Sequence, residues 1–218
     1  MMAKVAVILS GAGVFDGSEI YESVITLLRL DQKGAEVQCF APDIAQMHVI
    51  NHLTGAEMEE QRNVLVEAGR ICRGEIKNLE FADAKEFDAL IIPGGFGAAK
   101  NLSDFAVKGS DASVQRDVLR FCRAMFAAKK PVGLVCISPA IAPLIFGDKV
   151  HFTIGNDPET ANAIEAMGGH HDNCAVGEII VDKHYKLVTT PAYMLATRIS
   201  EAAEGINKLV DQVLDLIE

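Results

Sequence analysis

Short apolar runs alternate with longer amphipathic stretches along the chain. KVAVILS (4–10), EVQCFA (36–41), DALII (88–92) and VGLV (132–135) are rich in β-favouring residues and are bounded by glycine, proline or charge. Near-continuous apolar runs of this length predict strands buried on both faces of a parallel sheet. Apolar spacings of three and four between them predict helices. The first helix is predicted with Ser18 as N-cap and Glu19 in its first turn, with Ile20, Val24, Leu27 and Leu28 as its apolar stripe, and with Gly34 as its stop. Further helices are predicted over 63–73, 114–128, 158–167 and about 195–217, with Gly205 a candidate interruption of the last. A short strand is predicted over 150–154, and a hairpin joins 178–182 to 186–190 through Lys183-His184-Tyr185. Residues 43–54 read as irregular. Strands alternating with helices predict an α/β fold with a doubly wound, mainly parallel sheet. Loops at the carboxyl ends of the strands then build any site.

Composition narrows the picture. The chain has 218 residues, half of them hydrophobic, and a mean hydropathy of +0.20. No repeat or linker divides it, so one domain spanning 1–218 is expected. No apolar run approaches the roughly 20 residues of a membrane span. A net charge of −10 and a pI near 5.1 argue against nucleic acid or anionic membrane as partners. The first strand begins at Lys4, leaving no room for a signal or transit peptide, so a cytoplasmic protein is expected. Cys39, Cys72, Cys122, Cys136 and Cys174 are odd in number and scattered, with no CxxC. They form neither a disulfide framework nor a zinc knuckle, and a reducing compartment follows.

The candidate chemistry centres on Cys136. PVGLVCISPA (131–140) runs from an apolar strand directly into a cysteine, small residues and a proline, and then a helical pattern. A cysteine at such a turn stands at the sheet edge, where a helix N-terminus favours its thiolate. A buried cysteine serving as a small hydrophobe is the alternative. Two other loops follow parallel strands. In SGAGVFDGSEIYE (10–22), Gly11, Gly13 and Gly17 give GxGxxxG, one residue off the dinucleotide fingerprint. The loop is read instead as delivering Glu22 toward Cys136 as general base or hydrogen-bond partner, the alternative being a solvated helix glutamate. In PGGFGAAKNL (93–102), Gly94 and Gly95 permit close backbone approach. The N–H groups of Gly95 and Ile137 are candidate oxyanion donors, and a side chain at Gly95 is expected to crowd the space above the sulfur.

The histidines carry less. His170-His171-Asp172 with Cys174 matches no standard metal-ligand spacing and reads as a polar surface turn. His52 lies in a loop able to cap the site, with an exposed structural role the commoner fate. His48, His151 and His184 have no informative context.

Several segments together resemble a known family: SGAGVFDGSEIYE, CFAPD (39–43), VINHLTG (49–55), RNVLVEAGRICRGEI (62–76), IPGGFGAAKNLS (92–103) and VTTPAYM (188–194). They are similar to the ElbB-like glyoxalases, also called sigma-cross-reacting or isoprenoid-biosynthesis proteins. These belong to the ThiJ/PfpI branch of the class I glutamine-amidotransferase-like superfamily. The resemblance covers essentially the whole chain. It implies a flavodoxin-like sandwich, a nucleophilic Cys136, Glu22 hydrogen-bonded to it, oxyanion donors at Gly95 and Ile137, and a homodimer. Asn101, in AAKNLS, falls in the family's substrate-side loop.

Three departures matter. Thr153-Ile154-Gly155-Asn156-Asp157 stands where some relatives place a histidine that pairs with the cysteine, and TTPAYM lacks the His-x-Glu of glutaminases. Ala12 also stands where several relatives carry a cysteine. The function implied is cofactor-free conversion of small 2-oxoaldehydes to 2-hydroxy acids, weakened by the missing histidine and needing neither metal nor nucleotide. A redox or reactive-carbonyl sensor and a glutamine amidotransferase subunit are the alternatives.

Overall fold

The computed structural model describes residues 2–218. Its strands are β1 (Lys4–Ile8), β2 (Glu36–Ala41), β3 (Ile76–Asn78), β4 (Ala89–Ile92), β5 (Val132–Val135), β6 (His151–Phe152), β7 (His170–His171), β8 (Ile180–Asp182) and β9 (Leu187–Thr190). The α-helices are α1 (Ile20–Gln32), α2 (Val64–Ala68), α3 (Phe96–Lys100), α4 (Phe105–Lys108), α5 (Arg116–Ala127), α6 (Ala142–Phe146), α7 (Pro158–Glu165) and α8 (Ile199–Asp215). Seven strands form one sheet in the order β3-β2-β1-β4-β5-β9-β8, parallel throughout except for the β8–β9 hairpin. This is the flavodoxin-like α/β arrangement. Among the described residues, no helix is long and apolar enough to cross a membrane.

Side-chain alternation along the central strands builds two apolar layers. Val5, Val7 and Leu9 pack with Leu30 of α1, Val64 of α2 and Ile206, Leu209 and Val213 of α8. Ala6 and Ile8 face the other way, toward Val118, Phe121 and Met125 of α5 and Ile145 of α6. From β1 the strand order runs outward to β2 and β3 on one side and to β4 and β5 on the other. The loops leaving β1 and β4 therefore meet at the carboxyl edge of the sheet, where the strand order reverses.

Helix α1 departs from the sequence reading. Its cap is Glu19, whose carboxylate accepts the Glu22 N–H at 2.7 Å. Ser18 instead accepts the Ser10 N–H at 2.8 Å, inside the loop. The buried side chains of α1 are Glu22, Ser23, Thr26 and Leu30. Ile20 (47% exposed), Val24 (47%) and Leu28 (52%), expected to face the core, face solvent. Periodicity shows which residues share a face but not which neighbour covers it. The inward face is held against α8 by Arg29, which donates from Nε and Nη2 to Asp211 at 2.8 and 2.5 Å.

Two more corrections concern α8 and the 170s. Gly205 does not interrupt α8. It lets the helix lie on β9, since a Cβ there would stand 2.4 Å from Thr190 Oγ1 and 2.8 Å from Val176 O. His170 and His171 form β7, not a turn. This strand pairs in parallel with β6, and the predicted strand over 150–154 is confined to that small second sheet.

Candidate active site

Cys136 is the first residue after β5 and adopts φ 62°. The left-handed region costs a non-glycine residue about 1–3 kcal/mol, and surrounding contacts must enforce it. They do: Cys136 N–H donates to Thr190 O at 2.9 Å, and Ser138 Oγ donates to Pro93 O at 2.7 Å. The chain thus turns sharply at the sheet edge. The backbone N–H groups of Gly95 and Ile137 lie beside the sulfur and pull its pKa down.

Glu22 reaches the same point from α1 and is fully buried. Oε2 accepts Gly94 N–H at 2.9 Å and Oε1 accepts Tyr193 N–H at 3.2 Å, and the carboxyl stands beside the Cys136 thiol. The start of α1 is tied to the loop after β4, because Glu19 N–H donates to Gly94 O at 2.9 Å. Gly94 is the close-approach residue. A Cβ there would lie 2.4 Å from Cys136 Cβ and 2.6 Å from Glu22 Oε2. Gly95 differs from expectation: its φ is 95°, and a Cβ would strike Glu19 N at 2.3 Å and Gly17 O at 2.4 Å. A side chain at Gly95 would break the loop packing rather than fill the space above the sulfur.

Burial dominates the electrostatics. It lifts the Glu22 carboxyl to about 8, with the Glu19 carboxylate adding to the rise and hydrogen bonds from Tyr193, Cys136 and Gly94 opposing it. Burial also lifts the Cys136 thiol well above its usual range, and the Glu22 carboxylate reinforces this against the pull of the Gly95 and Ile137 amides. The helix-terminus argument predicted a stabilised thiolate. Desolvation outweighs it here, because the following helical turns are short and Cys136 is only 7% exposed. At neutral pH the pair holds its protons. Ionisation begins with a single proton lost between carboxyl and thiol.

The sulfur opens on a cavity of about 190 Å³, lined by Val14, Glu19, Gly95, Phe96, Cys136, Ile137, Thr160, Tyr193 and Met194. Glu19, Thr160 and Tyr193 supply the polar side-chain groups of an otherwise largely apolar wall. None of the lining residues is a histidine. Sequence reasoning missed Tyr193 and Glu19 as site residues. TTPAYM did mark the first, but nothing local says that a backbone N–H there meets a carboxylate 171 positions away in the chain.

Other candidates lie outside the cavity. Asn101 donates from Nδ2 to Ser10 O at 2.8 Å and Asp16 O at 2.9 Å, and accepts Met47 N–H at 2.9 Å. With these bonds made and only 4% exposed, it ties three loops together and has no reach to a substrate. His52 accepts Phe15 N–H at Nε2 (3.2 Å) and hydrogen-bonds Ile50 O through Nδ1 (2.9 Å). It braces the 43–54 loop on the glycine-rich loop. That loop closes on itself, Gly13 N–H donating to Ser18 O at 2.8 Å and Gly17 N–H to Gly13 O at 2.7 Å, so these amides are not turned toward a phosphate.

Cys72 falls outside a helix, since the one predicted over 63–73 ends at Ala68. It is half-buried in the turns after α2, and the adjacent Cys39 thiol, by hydrogen bonding, lowers its pKa. Burial lifts Cys122 to about 12 and Cys174 to about 11.

No family model matches the chain. The human "glutamine amidotransferase-like class 1 domain-containing protein 3, mitochondrial" is 47% identical over 224 residues, which cover 98% of this chain and 83% of that protein. The rat "ES1 protein homolog, mitochondrial" is also 47% identical, over 98% of this chain and 84% of its own length. The crystal structure of an isoprenoid biosynthesis protein with an amidotransferase-like domain from Ehrlichia chaffeensis superposes with a TM-score of 0.92 at 36% identity, covering 98% and 99% of the two chains. The chain belongs to the ES1 family.

The human relative's name places it among the class I glutamine-amidotransferase-like proteins. A DJ-1 superfamily protein from Salmonella typhimurium shares the fold, with a TM-score of 0.59 at 18% identity over 98% and 91% of the two chains. The ES1 relatives overturn the cytoplasmic expectation, since they are named mitochondrial. Net charge and unpaired cysteines suit any reducing aqueous compartment and do not choose among them.

Proposed function

We propose that this ES1-family chain is an ElbB-like, cofactor-free enzyme of glyoxalase type that converts small 2-oxoaldehydes to 2-hydroxy acids. The observation that carries this reading is one buried arrangement: the Cys136 sulfur, the Glu22 carboxyl and the Gly95 and Ile137 amides at the floor of a cavity of about 190 Å³. Glu22 takes the thiol proton, and the sulfur attacks the aldehyde carbon. The carbonyl electron pair moves to oxygen, where the two amides stabilise it. Glu22 passes the thiol proton to that oxygen, giving a hemithioacetal. Its carboxylate then removes the hydrogen on the attacked carbon as a proton and returns it to the neighbouring carbon through an enediol, while the hydroxyl proton of the first carbon passes to the oxygen of the second. Water cleaves the resulting thioester to the 2-hydroxy acid and free thiol. One carbon is oxidised as its neighbour is reduced, so no external oxidant is consumed.

The test is lactate yield from methylglyoxal for wild type and Cys136→Ser. Many lactate molecules per wild-type chain, and none from the variant, is the expected result. A yield that stops at one equivalent or less would make Cys136 a stoichiometric trap. Glutaminase chemistry, suggested by the human relative's name, is disfavoured because no histidine lines the cavity. A redox sensor needs a readily ionised thiol, and burial makes Cys136 the opposite.

Thiol labelling should depend on reagent size. A small electrophile such as iodoacetamide should modify Cys136 through the cavity, and a bulky maleimide should modify Cys72 instead. Peptide mapping after brief exposure reads both. Modification of Cys136 by the bulky reagent as fast as by the small one would contradict the confined cavity.

The chain is further proposed to act as a homodimer through the outward face of α1. Ile20, Val24 and Leu28 are each about half exposed there. An apolar stripe left exposed on a helix of a folded protein suits an interface between copies. Sedimentation equilibrium should give twice 23.4 kDa for wild type and less for Val24→Glu, Leu28→Glu. A monomeric wild type across the concentration range would reject it.

A further inference from the structure

The small second sheet brings together residues that no sequence spacing connects. Strands β6 and β7 pair in parallel with His151 opposite His170 and Phe152 opposite His171. Alternation puts His151, His170 and Asp172 on one face. Phe152 and His171 share the other, their rings 5.6 Å apart. On the outer face the two imidazoles meet edge to face at 4.5 Å. His151 Nδ1 lies 2.8 Å from Asp172 Oδ2, and His170 Nε2 lies 3.7 Å from Asp172 Oδ1. One donor atom from each residue falls within 4.8 Å of the others.

We propose that His151, His170 and Asp172 bind a divalent transition-metal cation of the zinc class. The donor set decides the class. Two imidazoles and a carboxylate suit zinc and its neighbours, whereas calcium and magnesium favour all-oxygen sites. Three protein ligands leave a position for water. At metal–ligand distances of about 2.0–2.2 Å, tetrahedral ligand atoms stand roughly 3.3–3.6 Å apart. The donors must shift by about an ångström to reach that spacing, and the His151–Asp172 hydrogen bond gives way to the metal. Exposure allows it, since the side chains of His151 and His170 are 49% and 56% exposed and that of Asp172 is 35%. The backbone beneath is fixed: His151 N–H donates to Asp182 Oδ2 at 2.8 Å, and Asp172 N–H to Phe152 O at 2.9 Å. A hydrogen-bonded strand pair with exposed side chains holds the ligands in register without locking them out of coordination.

The three residues do not line the Cys136 cavity, so this site stands or falls separately from the proposed enzyme activity. Full-length protein should be dialysed against zinc chloride in a non-chelating buffer and its bound zinc measured for wild type, His170→Ala and Asp172→Ala. Wild type should retain one equivalent more than either variant, with affinity falling about tenfold or more on loss of one ligand. Nickel titration followed by amide NMR identifies the place, since the five thiols also attract soft cations. Signals from 150–153 and 169–173 should broaden first in wild type and not in His170→Ala. Equal zinc retention by all three proteins, no retention by wild type, or first broadening around Cys72 or Cys136 would overturn the proposal.

Discussion

Glu22→Gln should lower methylglyoxal turnover by about 10²–10⁴-fold, the usual contribution of a positioned general acid–base group. In wild type, turnover and Cys136 alkylation should rise with pH through about 8, where Glu22 loses its proton and can accept one from the thiol. That rise should vanish in the variant. The same shift has a stability consequence of determined sign. The folded-state pKa of Glu22 is raised from 4.5 to about 8. The folded protein therefore binds more protons than the unfolded chain between those values, and stability falls as pH rises through that window. The loss from pH 4 to pH 8 is on the order of 4 kcal/mol by linkage. The carboxamide of the variant does not titrate, so its denaturation curve should lose this slope. Its absolute stability will also change, because one carboxamide oxygen cannot accept from both Gly94 and Tyr193, and an unmatched buried donor costs about 1–3 kcal/mol. The slope is therefore the diagnostic measurement. A folded Glu22→Gln protein with wild-type turnover and an unchanged pH profile would remove Glu22 from the mechanism.

Gly94→Ala should both destabilise the protein and silence Cys136. The added carbon would stand 2.4 Å from Cys136 Cβ, 2.6 Å from Glu22 Oε2 and 2.9 Å from the Val135 carbonyl. Neither Cys136 nor Val135 can yield, because Cys136 is held at φ 62° and Val135 lies in the central sheet. Overpacking of this kind costs about 1–3 kcal/mol, which lowers Tm by roughly 2–12 °C in a chain of this size. The carboxyl and thiol must part to admit the methyl group, so iodoacetamide labelling of Cys136 should slow sharply. Gly55→Ala is the comparison. Gly55 also has a positive φ, 72°, but a Cβ there meets nothing within 4 Å, so its cost is backbone strain alone and the labelling rate should not change. Wild-type Tm and labelling in Gly94→Ala would contradict the close approach of the three loops.

The alternation of buried strands with amphipathic segments was enough to predict the parallel α/β sheet, because strands covered on both faces are apolar throughout and local in sequence. The break from VGLV into Cys136, and the glycines of IPGGFG, marked the sheet-edge loops for the same reason: sharp turns and close approaches restrict residue type locally. Which face of α1 lies inward was not legible. Ile20, Val24 and Leu28 are as periodic as a core stripe, yet Glu22, Ser23, Thr26 and Leu30 are the buried residues, and of the predicted stripe only Leu27 packs against the core. The compartment was not legible either, since net charge and unpaired cysteines leave it open. Asn101 read as a substrate-side residue until its three partners, the farthest of them 91 positions away in the chain, were brought to it by the loops. The raised pKa values of Glu22 and Cys136, and the meeting of His151 with His170 and Asp172, belong to the tertiary structure alone. Desolvation and cross-strand pairing depend on which distant segments pack together, and neither leaves a mark on the residues nearby in sequence.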